Sequence, residues 1–426
     1  MKEDLLHYIW KFKKYPIATI RTTSDVGISV VSSGTHNHLA GPDFFNAKLV
    51  IDGQMWAGNV EIHIKSSDWY AHSHEADSNY DSVILHVVWE HDVAVFRSDG
   101  SEIPTLELKN HIGDEVLSNY KKLFQNRPNT FINCGSDITN VSSFKFDNWK
   151  ERLYFERLER KSDVVFNLLK NSNNDWEKVL FVLLLKNFGS KINGEFFYEL
   201  GLSIDFTIVR KLQNKPLELE ALLFGLSGLL EGDDRSNRYK AELRQAYDYL
   251  CHKYSLDSTV LSTPQFFKLR PSNFPTIRLS QFAQLYASEY ALFNKAIQGK
   301  ETNLYSLFTV KTSHFWETHF TFDTLSKNSV KKTTKKFIDL LVINTILPLR
   351  YCYLKHRGIA LEETFSNPIT DMAAEKNSIL EKYKELGVKM NNAKDSQALL
   401  ELYTNYCTKN KCLQCAVGVE LLTLKT

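Results

Sequence analysis

The sequence lacks most of what would place it in a special class. Six cysteines in 426 residues are too few for a disulfide-stapled scaffold and fit a reducing compartment. No apolar run approaches the ~20 residues that a membrane-spanning helix needs; stretches such as VLFVLLL at 179–185 are far shorter. The opening MKEDLLHYIWKFKKYP has acids at once and no apolar h-region, so no secretory leader is expected. Neither sign of charge dominates: 52 basic and 50 acidic residues leave a formal +2. That balance leaves room for a local basic patch and does not demand one. There is no repeat and no extended low-complexity tract. These absences lead us to expect a soluble, cytoplasmic protein without a membrane partner.

What is present is ordinary globular material, 43% hydrophobic and 24% charged, enough to bury sizeable cores in about two or three domains. The texture changes along the chain. Lys2–Lys14 has a helical stripe of Leu5, Ile9 and Phe12, with Pro16 beyond it. Strand-like runs follow at 28–33, 44–51, 55–65, 82–96 and 105–109, and Asp52-Gly53 between the second and third is a hairpin signal. From Phe146 onward helical periodicity takes over, as in 148–169, 176–189 (with Gly189 as its C-cap), 217–230, 238–254, 337–357 and 396–407. The expected fold is α+β: a mixed-sheet domain over 1–135, then a larger all-helical domain over 146–426.

The segment GNVEIHIKSSDW (58–69) puts Glu61, His63 and Lys65 on one strand face, because side chains alternate. A three-residue hairpin loop, Ile51-Asp52-Gly53, would pair Val50 with Gln54 and bring Asp43 opposite Glu61. One residue more or less would move Asp43 away. Adjacent carboxylates repel unless something neutralises them. A divalent cation does so, and Mg²⁺ or Mn²⁺ held by Asp43 and Glu61 would keep open positions for water and phosphate oxygens. A lysine alongside can steady developing charge. The plainer alternative is structural: Asp43 caps a turn, and Glu61 and Lys65 form an ion pair.

Helix, strand, strand with Pro42-Asp43, strand with Glu61-x-His63-x-Lys65, then a further strand resembles the PD-(D/E)xK nuclease core. The resemblance implies Asp43, Glu61, His63 and Lys65 as catalytic residues, with Glu3 of the first helix as an added acid. The third strand departs from it in having no strict E-x-K. Over nearly its whole length the chain also resembles a family of bacterial hypothetical proteins known only as a domain of unknown function. AGPDFFNAKL (40–49), GNVEIHIKSSDW, YDSVILHVVWEHD (80–92) and CLQCAVG (412–418) carry that likeness, which implies no activity.

Three further groups stand out. In HSHEAD, His72, His74 and Asp77 resemble the H-x-H-x-D-H run of metallo-β-lactamase-like hydrolases, with the aspartate one place late, so a zinc hydrolase is the alternative enzyme. His72 reads as a solvated loop residue and His86 as a hydrogen-bonded core histidine. Cys407, Cys412 and Cys415 are spaced for a zinc ion or an iron–sulfur cluster, with a fourth ligand to come from Cys134, Cys251, Cys352 or a histidine; packing is the simpler account. In the helical half, Lys268, Arg270 and Arg278 around two prolines, and the lysines of 326–336, are candidate contacts to a DNA or RNA backbone, or simply solvated faces. Together the residues lead to an expected divalent-metal-dependent nuclease or nucleic-acid-binding protein, against a non-enzymatic scaffold on the same fold.

Overall fold

The first helical stripe forms at Leu5 and Ile9 and is held by burial, whereas Phe12, its expected third member, lies past the helix end and is 51% exposed. In a computed structural model, which describes residues 2–16, 20–37, 39–124, 130–232, 237–256, 263–298, 301–360 and 367–424, α1 (Glu3–Lys11) buries Leu5, Leu6, Ile9 and Trp10. Each such side chain stabilises by roughly 1.5–3 kcal/mol, well above what nine residues gain from propensity. The helix stops before Pro16, because Lys13 takes a left-handed φ of 49° and its ammonium donates to the carbonyl of Val30 at 2.7 Å.

Six strands follow: β1 (Ile28–Ser32), β2 (Thr35–His36), β3 (Phe44–Ile51), β4 (Gln54–Lys65), β5 (Val83–Glu90) and β6 (Thr105–Glu107). They form one mixed sheet in the order β1-β3-β4-β5-β6, with β2 also on β3. β1, β3 and β4 are antiparallel, whereas β4, β5 and β6 run parallel. The run expected to reach 96 ends as a strand at Glu90.

The β3–β4 hairpin corrects the expected register twice. Its loop has two residues, since Ile51 pairs with Gln54. Asp52 and Gly53 both have positive φ, 51° and 73°, the type I′ turn that matches strand twist. Alone, this would move Asp43 off Glu61. A β-bulge between Phe44 and Ala47, with Asn46 at φ 56°, shifts the register back by one. Phe44 then pairs with Val60, and the next position brings Asp43 to Glu61.

Contacts divide the chain into residues 1–153, 376–389 and 398–426, and residues 154–375 with 390–397. The expected domains, 1–135 and 146–426, differ because the C-terminal cysteine segment belongs with the sheet. Its Cys412, Leu413 and Leu422 share the main core with α1, Val60, Ile62, Leu85 and Val87. By alternation Glu61 and His63 face the other side of β4. There Trp69, Tyr80, Val83, Val95 and Ile103 form a second, smaller cluster.

The other unit is mostly helical, including Trp176–Phe188, Pro216–Leu226, Arg238–Tyr254 and Pro275–Ser288. Gly189 follows the first of these with φ −67° rather than a left-handed cap. It is needed because a Cβ there would meet the Asn193 carbonyl oxygen at 2.4 Å. Among the described residues one helix, Lys335–His356, is long and apolar enough to cross a membrane, and 67% of its apolar window is buried inside the protein, as in a core helix.

Candidate metal centre

β3 and β4 lock the two carboxylates together through the backbone. The Asp43 amide donates to Glu61 Oε2 at 3.0 Å, and the Ile62 amide donates to Asp43 Oδ2 at 3.0 Å. The GP turn before β3 aims Asp43 into this exchange. From α1, His7 Nε2 lies 3.2 Å from Asp43 Oδ2. Glu61 Oε1 lies 3.5 Å from His63 Nε2 and 3.5 Å from His74 Nε2. One acid pair is thus approached by imidazoles from a helix, a strand and a loop.

A chain of histidines extends from it. His63 Nδ1 is 2.9 Å from His86 Nε2, and His63 Nε2 is 3.1 Å from His72 Nδ1. Parallel pairing of Glu61 with His86 explains the first contact. The segment after β4 explains the second: Asp68–Ala71 forms a single helical turn that seats Trp69 against His86 and His74, with ring centroids 5.5 and 5.3 Å apart. Tyr80 then stacks on His74 at 3.7 Å. His63, His72 and His74 can each present a ligand nitrogen within 4.8 Å of the other two. Around a tetrahedral ion with ~2.0–2.1 Å metal–nitrogen bonds, neighbouring ligands sit about 3.3 Å apart, close to the His63–His72 spacing.

The environment splits these groups electrically. Burial pushes the His63 imidazole down to about 3, and His74, His72 and His7 add to the effect. His86 is driven well below its ordinary value, first by burial and then by His63. His7 goes the other way: burial alone would lower it, but Asp43, Glu3 and Glu61 outweigh that and raise it. Burial raises the Glu61 carboxyl, the Asp43 charge adds to this, and hydrogen bonds from His74 and the Asp43 amide oppose it. Neighbouring groups of one cluster are therefore pushed in opposite directions. The site is reachable, since Asp43 keeps 23% of its side chain exposed and His72 is exposed.

The family model described as "Protein of unknown function (DUF2851)" matches residues 3–378. The chain belongs to that family. No curated protein and no solved structure matches it. The DUF2851 match spans the carboxylates, the histidines and Cys134, and ends before Cys407, Cys412 and Cys415. The likeness to PD-(D/E)xK nucleases is carried by no match.

Other expected site residues are placed as follows in this DUF2851 chain. Lys65 is exposed at the end of β4. Among the described residues its ammonium makes no ion pair or hydrogen bond with Asp43 or Glu61, and its amide donates to Asp68. Asp77 caps the turn Ser78–Tyr80 by accepting from the Asn79 amide, so His63 and not Asp77 completes the histidine group. Glu3 lies near Asp43 and His7, and its carboxyl is raised by burial and then by the Asp43 charge. Lys268 and Arg270 are exposed in the helical unit. Arg278 is only 7% exposed, donates to Gln281 and Asn273, and stacks 3.6 Å from the Phe337 ring centre. It is occupied inside its unit rather than presented to a phosphate. Lys331 is likewise buried, donating to the Glu317 carbonyl and the Ser326 hydroxyl.

Cys407, Cys412 and Cys415 meet Cys134 around one small cavity. Burial pushes the Cys407 thiol up to about 12 and the Cys412 thiol to about 11. Among the described residues no cysteine forms a disulfide. Sequence reasoning missed His7, although it lies four residues after Glu3 and so on the same helix face. It also missed that His72 and His86 both touch His63.

Proposed function

We propose that this protein is a cytoplasmic, divalent-metal-dependent phosphodiester hydrolase acting on a nucleic-acid backbone. One observation carries the reading: Asp43 and Glu61 are interlocked side by side, with His7 at Asp43 Oδ2 and with His63 and His74 at Glu61 Oε1. A structural ion pair would set one acid against one base. Two adjacent acids ringed by imidazoles are the donor set of a cation site. The imidazoles shift the fit from Mg²⁺ towards Mn²⁺ or Zn²⁺.

Asp43 and Glu61, with His63 and His74 alongside, would hold the ion, which would supply Lewis acidity and a more acidic bound water. His63, kept neutral by burial and steadied at Nδ1 by His86, is suited to offer its other ring nitrogen to the ion. His7, whose proton is held more tightly beside Asp43, Glu3 and Glu61, is suited to meet a phosphate oxygen or protonate the leaving oxygen. His7 and His36 also line a groove of about 580 Å³, together with Lys11, Arg152, Lys409 and Lys411. Four cations in a groove that shares His7 with the acid pair suit a polyanionic strand. This groove, rather than Arg278, is the candidate backbone track.

The histidine group favours a second reading, a zinc hydrolase held by His63, His72 and His74 with Glu61. Labelled single-stranded, duplex and branched DNA and RNA, offered with Mn²⁺, Mg²⁺ or Zn²⁺, test the first reading. Cleavage that needs metal and vanishes in Asp43→Asn is expected. Cleavage with zinc alone, lost in His72→Ala and kept in Asp43→Asn, favours the second. No cleavage and no metal uptake would leave a scaffold.

A further inference from the structure

Apart from the acid–histidine site, the molecule gathers four sulfurs. Cys134 comes from a loop 273 positions before Cys407 in the chain, yet it borders the same small cavity as Cys407, Cys412 and Cys415, with Leu402 and Val417 as apolar wall. The local backbone is built for this convergence. Tyr403–Cys407 is a widened helical turn. The chain then reverses at Asn410, φ 52°, where the Lys411 amide donates to the Tyr406 carbonyl at 2.9 Å. Cys412–Gln414 forms a tight turn, and the Cys415 amide donates back to the Cys412 carbonyl at 3.2 Å. Gly418 lets the last helix close over it, because a Cβ there would lie 2.2 Å from the Cys412 carbonyl oxygen.

Two polar groups approach the sulfurs. Asn133 Nδ2 donates to Cys412 Sγ at 3.6 Å, and the Tyr383 hydroxyl lies 3.5 Å from Cys407 Sγ. Donors around sulfur steady thiolates and tune a metal bound to them. Ordinary packing of cysteine as a small hydrophobe accounts for one buried thiol, but not for four around one cavity with donors among them.

We propose that Cys134, Cys407, Cys412 and Cys415 form a four-thiolate metal centre that fastens the C-terminal segment to the sheet unit. Four thiolates take either one tetrahedral zinc ion or an iron–sulfur cluster, and the cluster is tested first. The centre uses none of the residues of the proposed hydrolase site, so either can fail without the other.

The test uses the full chain, produced with ample iron and purified without oxygen. Iron and sulfide in the protein, visible absorption, and an iron X-ray absorption spectrum with a sulfur-only first shell at about 2.3 Å are expected. Cys134→Ser should lose the metal, and Cys251→Ser should keep it. The spectrum of the unaltered protein decides the matter even if Cys134→Ser fails to fold. One zinc per chain with four sulfur neighbours would uphold the four-thiolate centre and overturn the cluster. Metal-free protein after reconstitution, a nitrogen or oxygen shell, or full metal in Cys134→Ser would overturn the proposal.

Discussion

Replacing Asp43 by Asn separates a metal-binding acid from a structural one, because the two roles predict different signatures. The amide oxygen of Asn can still accept from the Ile62 amide, and the Asp43 backbone donor to Glu61 is untouched. The substitution removes one charge from an acid pair and also an attraction for His7. At ~4 Å a unit charge pair is worth from about 1 kcal/mol in water to about 4 kcal/mol near a protein surface. The lost repulsion and lost attraction are of similar size and opposite sign, so the metal-free variant should match the wild type within about 1 kcal/mol. Metal changes the comparison. At a concentration 100 times its dissociation constant, an ion adds about 2.7 kcal/mol to the unfolding free energy. In a unit of about 200 residues each kcal/mol moves the melting temperature by roughly 2–4 °C. Wild type should therefore gain about 5–10 °C with Mn²⁺ or Zn²⁺, and Asp43→Asn little or nothing. Thermal unfolding of both proteins with and without metal reads this directly. An equal gain in both would refute the reasoning, as would a metal-free variant that has lost several kcal/mol.

His63 predicts an acid slope. Its folded value near 3 lies below the ordinary 6.5, so the unfolded chain binds the extra proton between these values and stability falls as pH falls through that window. The slope is about 1.4 kcal/mol per pH unit, or about 2 kcal/mol from pH 6.5 to 5 in metal-free protein; His63→Asn should remove that share in urea unfolding curves. Glu220, fully buried in the helical unit, accepts from Trp316, Tyr239, Ser280 and Ser313. Glu220→Ala strands these donors and should cost about 3–5 kcal/mol, whereas Glu220→Gln, which keeps an acceptor, should cost less by calorimetry. A Cβ at Gly58 would meet Ile84 Cγ2 at 2.4 Å, so Gly58→Ala should destabilise by about 1–3 kcal/mol in a denaturant midpoint.

Much of the architecture could be read from periodicity. α1, β3, β4 and the long helices appear where apolar spacing places them, and the change from strand to helix texture is real. The hairpin shows where reading fails. Loop length and bulge each shift register by one, and here their effects cancel, so Asp43 reached Glu61 by a route that differs from the expected one. The Asp52-Gly53 pair signals the two-residue loop, and Asn46 is a residue type that tolerates a left-handed φ, but alternation along β3 does not announce a bulge there. The histidines illustrate a second limit. His86 on a nearly continuous apolar strand reads as core, and only parallel pairing with β4 brings it to His63. Arg278 and Lys331 illustrate a third: charge in a loop reads as surface, yet stacking on Phe337 and donation to carbonyls bury both. The cysteine segment reads as part of the helical half by proximity in sequence, whereas its core partners lie in the sheet.

The central claim is that Asp43 and Glu61 hold a cation that hydrolyses phosphodiesters. Its most direct test is the turnover of a labelled oligonucleotide by wild type and Glu61→Gln, both shown to be folded, at saturating Mn²⁺. The account predicts metal-dependent cleavage in the wild type that falls at least ~100-fold in the variant, the scale of losing a group that acts in the transition state. Undiminished cleavage by Glu61→Gln, or none by wild type with any divalent ion, would contradict it.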